Sequence, residues 1–342
     1  MTKILVTGGA GFIGSHTILK LLNEDYDVVT IDNLSNSSYE VINRIKFLAN
    51  KNFDFIKGDI IDKNILKSIF SKFNIEAVIH FAGLKSSSES NNNPILYFEN
   101  NVVGSINLLK EMANFGIKKI VFSSSATVYG EPSTKKCKET FELSPISVYG
   151  KTKLLIENIL LDIKFAQPEW RIFNLRYFNP IGAHPSGIIG EDPRNVPSNL
   201  IPFLTQVAIG KREQLLVFGD TYDTSDGTGK RDYIHVEDLA SGHIAALRNL
   251  EKAEKNNINV NLGTGQSYSV LEVLRAFEQC SGKNIPYKIV GKRLGDVGEL
   301  YADTSLAKRI LGWEAKFDIL QMCNDAWRWQ KMNPEGYDKK LG

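Results

Sequence analysis

Thr7-Gly8-Gly9-Ala10-Gly11-Phe12-Ile13-Gly14 follows a short β-branched run, Lys3–Val6, and opens a helical pattern, Gly14–Asn23. Gly8, Gly11 and Gly14 have the spacing that permits a tight turn, close approach of backbone to a pyrophosphate, and close helix–strand packing. The helix that follows offers free N–H groups and the positive end of its dipole to phosphates. A glycine triplet alone is a weak signal, and its context gives it weight. Here a strand precedes it, a helix follows, and Asp32 ends the second strand 18 positions past Gly14. Asp32 can accept hydrogen bonds from the adenosine ribose hydroxyls and would repel a 2′-phosphate. No Arg or Lys lies between Asp32 and Tyr39 to reverse that preference, so NAD is favoured over NADP. The plain alternative is a glycine-rich connection followed by a helix-capping Asp. Asp59, after the third strand, is open between an adenine contact and turn chemistry with Gly58.

Outward from this loop, β-branched runs alternate with longer helical patterns. The strands are Lys3–Val6, Asp27–Ile31, Asp54–Ile56, Ala77–Phe81, Lys119–Ser123 and Trp170–Arg176; helices include Gly14–Asn23, Asp62–Phe73, Ile95–Phe115 and Ser147–Phe165. This alternation predicts an α/β fold with a doubly wound parallel sheet of Rossmann type, whose ligands sit beyond the carboxyl ends of the strands. After about Pro180 the rhythm changes. Gly182–Ser198 is rich in Gly, Pro, Asp and Asn and reads as irregular loop. Shorter pieces follow: Leu215–Phe218, Arg231–Val236, a helix near Val236–Asn249, Asn259–Leu262 and a helix near Val270–Ser281. We therefore expect an NAD-binding domain over 1–180 and a smaller mixed α/β substrate domain over 181–342, with some later segments returning to the main sheet.

Composition narrows the partners. The 342 residues are 42% hydrophobic and 23% charged, ordinary for a globular chain. A formal charge of +2 argues against nucleic acid or an anionic membrane as partner. No apolar stretch reaches the roughly 18 residues of a membrane span. The start, Met1-Thr2-Lys3 running straight into a strand, predicts no cleavable signal. Cys137, Cys280 and Cys323 are widely separated and in no metal-ligand spacing, which fits reduced thiols and a cytoplasmic enzyme without a metal.

Tyr149-Gly150-Lys151-Thr152-Lys153 places Tyr149 and Lys153 on one helix face. A phenol of pKa near ~10 is a poor base at neutral pH, but a nearby ammonium and a positive nicotinamide ring both favour the phenolate. Lys153 can also bond the nicotinamide ribose. Tyr-x-x-x-Lys is common by chance. Upstream, however, Ser123-Ser124-Ser125-Ala126-Thr127-Val128-Tyr129-Gly130 ends the fifth strand with hydroxyls, where this architecture faces its cleft. Ser125 or Thr127 could relay a proton between a sugar hydroxyl and Tyr149, although some of these serines could serve only backbone groups.

With these residues in place, the chain resembles the UDP-glucose 4-epimerases of the extended short-chain dehydrogenase/reductase superfamily, nearly end to end. The resemblance is carried by Thr7–Gly14, Asp32-Asn33-Leu34, Phe81–Lys85, Asn100-Asn101-Val102, Ser123–Gly130, Tyr149–Lys153, Arg176–Pro180, Gly182–Gly187 and Arg231–Val236. It implies that Phe12, Ile13, Asp32, Asn33, Asp59, Ile60, Phe81, Ala82, Gly83, Lys85, Asn100, Ser125, Tyr149, Lys153 and Phe178 border NAD. It assigns the nucleotide-sugar site to Lys85, Ser125, Tyr149, Tyr177, Asn179, Asn199, Leu216, Val217, Phe218, Arg231, Arg293, Asp296 and Leu300. The chemistry suits these roles. Arg231 and Arg293 can bond a diphosphate, Asn179 and Asn199 can donate to phosphate or uracil, and Asp296 can accept from a ribose hydroxyl. For Arg231 the alternative is a structural ion pair with Asp232 or another acid. His184 and His235 read as structural.

Three positions depart from the family pattern. Phe12 stands where many relatives have tyrosine, and Ser86-Ser87-Ser88 replaces a usually less polar run. Leu300 precedes Tyr301-Ala302-Asp303 where some relatives place a tyrosine over the sugar ring. Leucine there leaves room for a 2-acetamido group, so UDP-GlcNAc and UDP-GalNAc enter as further substrates beside UDP-glucose and UDP-galactose. The hydrogen on C4 is not adjacent to a carbonyl, so inversion requires oxidation and re-reduction through a 4-keto sugar, with NAD unchanged and tightly held. A 4,6-dehydratase or decarboxylase would need an added acid near the hydroxyl-rich strand end, where this chain has Ala126-Thr127. A catalytically silent NAD-binding module would need no ordered Tyr149–Lys153 pair. Helices Ile95–Phe115 and Ser147–Phe165 carry apolar residues on more than one face. That predicts a homodimer through a four-helix seam, as relatives form.

Overall fold

A computed structural model describes residues 3–339, apart from 133, 195, 198, 254–257, 294 and 295. The glycine loop joins β1 (Lys3–Thr7) to α1 (Phe12–Asn23), and β2 (Asp27–Asp32) follows. Next come α2 (Tyr39–Ala49), β3 (Asp54–Lys57), α3 (Lys63–Lys72) and β4 (Ala77–His80). After short helices α4 (Ser87–Asn92) and α5 (Pro94–Tyr97), a π-helical stretch (Phe98–Val103) runs into α6 (Gly104–Asn114) and β5 (Lys119–Ser125). A short β6 (Lys136–Cys137) precedes α7 (Val148–Ala166), β7 (Arg171–Tyr177) and β8 (Asn179–Ile181). The rest of the chain contains α8 (Leu200–Ala208), β9 (Leu215–Phe218), β10 (Lys230–His235), α9 (Val236–Arg248), β11 (Ile258–Leu262) and β12 (Ser267–Ser269). It ends with α10 (Val270–Ser281), β13 (Tyr287–Val290), β14 (Glu299–Ala302), α11 (Ser305–Leu311) and α12 (Ile319–Met332).

The expected doubly wound sheet is present, with seven parallel strands in the order β11-β7-β5-β4-β1-β2-β3. Apart from the edge strand β3, its strands are largely buried on both faces, as a parallel sheet between helices requires. One core packs α1 and α9 against it (Ile18, Leu21, Val6, Leu239, Ile244), and the other packs α3, α6 and α7 (Ile69, Leu108, Met112, Ile156, Leu160). The chain reverses direction between β1 and β4, so the cleft opens at their carboxyl ends. Beyond Pro180 the path returns to this sheet through α9, which packs in the α1 core, and β11, which pairs with β7. Two smaller sheets lie outside it. One has the order β12-β10-β14-β6 with β8 added on β10, and the other is β9 with β13. A third core (Leu204, Val217, Leu274, Phe277, Met322) sits beneath them.

The helix expected over Ile95–Phe115 is divided. Its wide π turn spans Phe98–Val103, and such single turns recur at functional sites. Among the described residues, no helix is long and apolar enough to cross a membrane, and no cluster of His, Cys, Asp and Glu could hold a metal ion.

Candidate active site

The carboxyl ends of the sheet open onto a cleft of about 540 Å³ whose walls include Gly8, Gly11, Asp32, Lys85, Tyr149 and Tyr177. Gly8 has φ +73°, and a Cβ there would lie 2.7 Å from the backbone N of Ala82. A Cβ on Gly14 would lie 2.4 Å from the Gly8 carbonyl oxygen. Any side chain at either position would therefore fill the cradle. The N-cap of α1, Gly11, has no side-chain cap, and no acid stands in the first turn. Its N–H groups are left for an anion from solution.

At the end of β2, Asp32 accepts from the Ala10 N–H at 3.0 Å, the Leu34 N–H at 2.8 Å and the Ser37 hydroxyl at 2.9 Å. Burial raises its pKa, against these three hydrogen bonds. Asp59 accepts from the Asn33 amide at 2.7 Å and from the Ile61 N–H at 2.9 Å. It thus performs turn chemistry and also lines the cleft. Phe12, Ile13, Ile60, Phe81, Ala82, Gly83 and Asn100 line the same space. A glycine cradle, an uncapped helix start and a carboxylate at the end of β2, all in one cleft, fit a dinucleotide.

α7 brings Tyr149 and Lys153 to the middle of this cleft, 7% and 4% exposed. The helix begins where Ser147 accepts from the Gly150 N–H, Asn91 from the Val148 N–H and Ser90 from the Tyr149 N–H. α4 therefore fixes the start of α7 from outside. Lys153 Nζ donates to the Ser123 carbonyl at 2.8 Å and lies 5.8 Å from the Tyr149 ring centroid. Ser125 accepts from the Thr127 hydroxyl at 3.0 Å and lies near enough to the Tyr149 hydroxyl to act on its pKa. Of the other two serines, Ser124 donates to Glu157 at 2.5 Å and Ser123 pairs with His243 at 2.9 Å.

The electrostatics differ from the expected activation of the phenol by its lysine. Burial pushes Tyr149 up to about 12, against the Ser125 hydrogen bond. Burial pulls Lys153 down to about 8, while Glu157 acts to raise it. In a dry pocket the desolvation of each ion outweighs their mutual help. The protein alone holds Tyr149 as a phenol at neutral pH.

Of the expected sugar-side residues, Lys85, Tyr149, Tyr177 and Asn199 line the cleft, with Lys85 Nζ 2.9 Å from Glu191 and the Asn199 amide donating to that carboxylate at 3.1 Å. A second group lies apart from this lining, across the small sheets. Arg231 pairs with Asp296 at 3.4 Å, and the Arg293 guanidinium stacks on Phe218 at 3.7 Å. Leu216 and Val217 share β9 with Phe218, and Asn179 is exposed on β8 beside β10. The acid paired with Arg231 is Asp296. Asp232 is instead buried, accepting from Thr264, Gly265 and Ala302. Leu300, 7% exposed, packs in a cluster with Ala126, Val128, Tyr129 and Phe178, joining β14 to the catalytic strand end.

Sequence reasoning missed Asn101, which bonds both the N–H and the carbonyl of Leu84 and donates to Thr152 at 3.1 Å, clamping the loop after β4 onto α7. Asn100 lines the cleft while the adjacent Asn101 is buried, and the linear sequence does not say which of the two lies inside. Glu191 was also missed. His235 pairs with the buried Asp325 at 3.2 Å, as a structural histidine would.

Residues 4–263 match the model of a family described as the NAD dependent epimerase/dehydratase family. The chain is 54% identical to the UDP-glucose 4-epimerase of Bacillus subtilis (strain 168), over 98% of each chain. Its structure is similar to the UDP-glucose 4-epimerase of Bifidobacterium longum in complex with NAD+ and UDP, with a TM-score of 0.95 and 47% identity over 98% of this chain and 100% of that one. It is also similar to the UDP-Glc/GlcNAc 4-epimerase of Campylobacter jejuni, with a TM-score of 0.84 and 38% identity over 97% and 100%.

Proposed function

This chain belongs to the NAD dependent epimerase/dehydratase family, and from that membership we infer how its cleft interconverts UDP-glucose and UDP-galactose. The observation that carries the reading is that Tyr149 and Lys153 line the same cleft as the glycine cradle and Asp32. Bound there, NAD would supply an acceptor and donor of hydride for C4 and a positive charge that favours the phenolate of Tyr149. The chain does the rest. Gly8, Gly11, Gly14 and the start of α1 hold the pyrophosphate, and Asp32 holds the adenosine ribose. Lys153 orients the second ribose. With the cofactor's positive charge in place, Tyr149 acts as the phenolate and takes the proton of the 4-hydroxyl, with Ser125 and Thr127 as the relay that joins it to the sugar. The 4-keto sugar is flat at C4, turns about its diphosphate linkage and presents its other face, and Tyr149 then returns the proton.

Residues 1–180 form the cofactor half in this reading, and 181–342 supply the nucleotide-sugar half and return α9 and β11 to the main sheet. Arg231 and Arg293 grip the diphosphate, Asp296 the uridine ribose, and Leu216, Val217 and Phe218 the base. Asn179 and Asn199 complete the polar contacts. Arg231 and Asp296 are paired across this site, which suits groups that separate to take phosphate and ribose. Leu300 packs in the Phe178 cluster; the extension of the substrate range to UDP-GlcNAc and UDP-GalNAc rests on leucine being smaller there than the tyrosine of some relatives.

Two further expectations gain support. Ile95, Leu96, Val103 and Ile106 are exposed on the α5–α6 stretch, and Leu155, Leu161 and Phe165 on α7. Apolar groups on two neighbouring helices suit a homodimer through a four-helix seam. The three cysteines are free thiols, and a cytoplasmic location suits them.

Incubation of the purified protein with UDP-galactose, without added NAD, tests the reading. UDP-glucose is expected at equilibrium, and a protein that turns over neither sugar with or without added NAD would sink it.

A further inference from the structure

Arg44, in α2, is 1% exposed although it is a cation. Its Nε donates to Glu40 at 3.2 Å, one turn away. The remaining donors leave the helix entirely. Nη1 reaches the Ile188 carbonyl at 3.0 Å and Asn333 Oδ1 at 2.6 Å, and Nη2 reaches the Lys339 carbonyl at 2.6 Å. The guanidinium also lies 4.9 Å from the Tyr337 ring centroid and 5.7 Å from that of Trp329. One side chain thus ties α2 to the loop after β8 and to the segment that follows α12.

That loop and that segment are fastened to each other as well. The Tyr337 hydroxyl accepts from the Gly190 N–H at 2.9 Å and donates to the Gly190 carbonyl at 3.0 Å. Trp329 Nε1 donates to the Glu191 carbonyl at 3.1 Å. The Asp192 carboxylate accepts from the Tyr337 N–H at 2.9 Å and sits where a Cβ on Gly336 would lie, 2.2 Å away. Nearer the surface, Arg194 reaches Asp338 at 2.8 Å and the Ser37 carbonyl at 3.3 Å. Gly190, Asp192 and Tyr337 line the same cleft as Gly11, Ile13 and Asp32.

We propose that the Arg44–Tyr337–Asp192 assembly is a clasp that closes the loop 188–194 over the adenosine end of the dinucleotide cleft, and that it sets how slowly NAD leaves. The inference rests on the reading of this cleft as the NAD site. A bound dinucleotide departs only when one wall opens. The glycine loop and Asp32 are held at the ends of β1 and β2, whereas residues 188–194 have no regular structure and are tied to α2 and to the segment after α12 by the clasp. Arg44 makes the clasp cooperative, since loss of one partner leaves a buried cation short of acceptors. The clasp touches no reacting atom, so it acts on retention and leaves the chemistry of bound NAD alone.

The test measures NAD release. Wild type, Tyr337→Phe and Arg44→Met are purified, NAD content is read by absorbance after perchloric acid extraction, and release is followed as exchange with radiolabelled NAD. Tyr337→Phe removes only the two hydrogen bonds to Gly190 and is expected to accelerate exchange roughly tenfold. Arg44→Met is expected to accelerate it by on the order of a hundredfold. The supporting pattern is faster exchange in both variants with near wild-type kcat under saturating NAD. Should Arg44→Met fail to fold, Tyr337→Phe decides. Exchange in a folded Tyr337→Phe protein at the wild-type rate overturns the clasp and leaves the NAD site intact. A wild-type protein that holds no NAD and binds none when it is added overturns the site reading itself.

Discussion

Substitution of Glu157 by Gln tests how the catalytic strand end is held to its helix. Glu157, buried on α7, accepts from Arg176 Nε at 3.0 Å and Nη2 at 2.6 Å and from Ser124 at 2.5 Å. Arg176 is equally buried, and its other contacts, the Glu139 carbonyl and the Tyr129 hydroxyl, are neutral. Glutamine keeps the shape and one acceptor oxygen but removes the charge that balances Arg176. Breaking a buried pair by removing one partner costs about 3–5 kcal/mol, and the retained acceptor places this variant near the lower figure. Unfolding entropy of roughly 2.1 cal/mol/K per residue gives about 0.7 kcal/mol/K for a chain of this length. A loss of about 3 kcal/mol therefore lowers Tm by about 4 °C. A second effect reaches the chemistry. Glu157 acts to raise the pKa of Lys153, which burial holds down to about 8. Without Glu157 the ammonium is lost at lower pH, and the alkaline limb of kcat/KM moves down. Calorimetry and a pH–rate profile on the same preparation read both. A Tm within ~1 °C of wild type together with an unmoved alkaline limb would refute the reasoning.

Tyr149→Phe removes the proton acceptor and should lower kcat by roughly 10²–10⁴-fold with NAD still bound, a combination that turnover assays and cofactor extraction resolve; full activity would dismiss the role of Tyr149. Leu300→Tyr places a larger, polar side chain in the Phe178 cluster. It should depress turnover of UDP-GlcNAc relative to UDP-glucose by about tenfold or more, and unchanged discrimination would remove Leu300 as the gate. His16, His80 and His243 are buried and held down by desolvation, to about 4, 3 and 4. Their folded pKa values lie below the unfolded one near ~6.5, so the stability they contribute is full above that value and is lost as pH falls toward ~4. Linkage gives about 2 kcal/mol per histidine at pH 5, opposed in part by buried carboxylates such as Asp232 whose pKa is raised. The urea midpoint should therefore drop between pH 7 and pH 5, and a flat profile would show that these rings are not buried neutral.

Much of the fold is visible in linear pattern because its cause is local. Parallel strands buried on both faces are continuous apolar runs, and β1, β2, β3, β4, β5 and β7 all fall within a few residues of their expected spans. The glycine cradle is legible for the same reason, since close approach forbids a Cβ at Gly8 and Gly14. Asp32 stands at a fixed distance along the same βαβ unit. The substrate side is less legible. Residues such as Arg231 and Arg293 meet through strand pairings that no periodicity announces, and their assignment leaned on family resemblance.

From the sequence alone came the architecture, the preference for NAD and the Tyr149–Lys153 pair, because each depends on residues close together along the chain. Folding decided what depends on distant neighbours and on the exclusion of water. Packing put Asn100 on the cleft and Asn101 inside, and Asp296 became the partner of Arg231. The desolvation that holds Tyr149 as a phenol and draws down Lys153 exists only once both are buried. Arg44 reads as one more surface cation on an amphipathic helix; only the packed chain carries Ile188, Asn333 and Lys339 to within reach of its guanidinium.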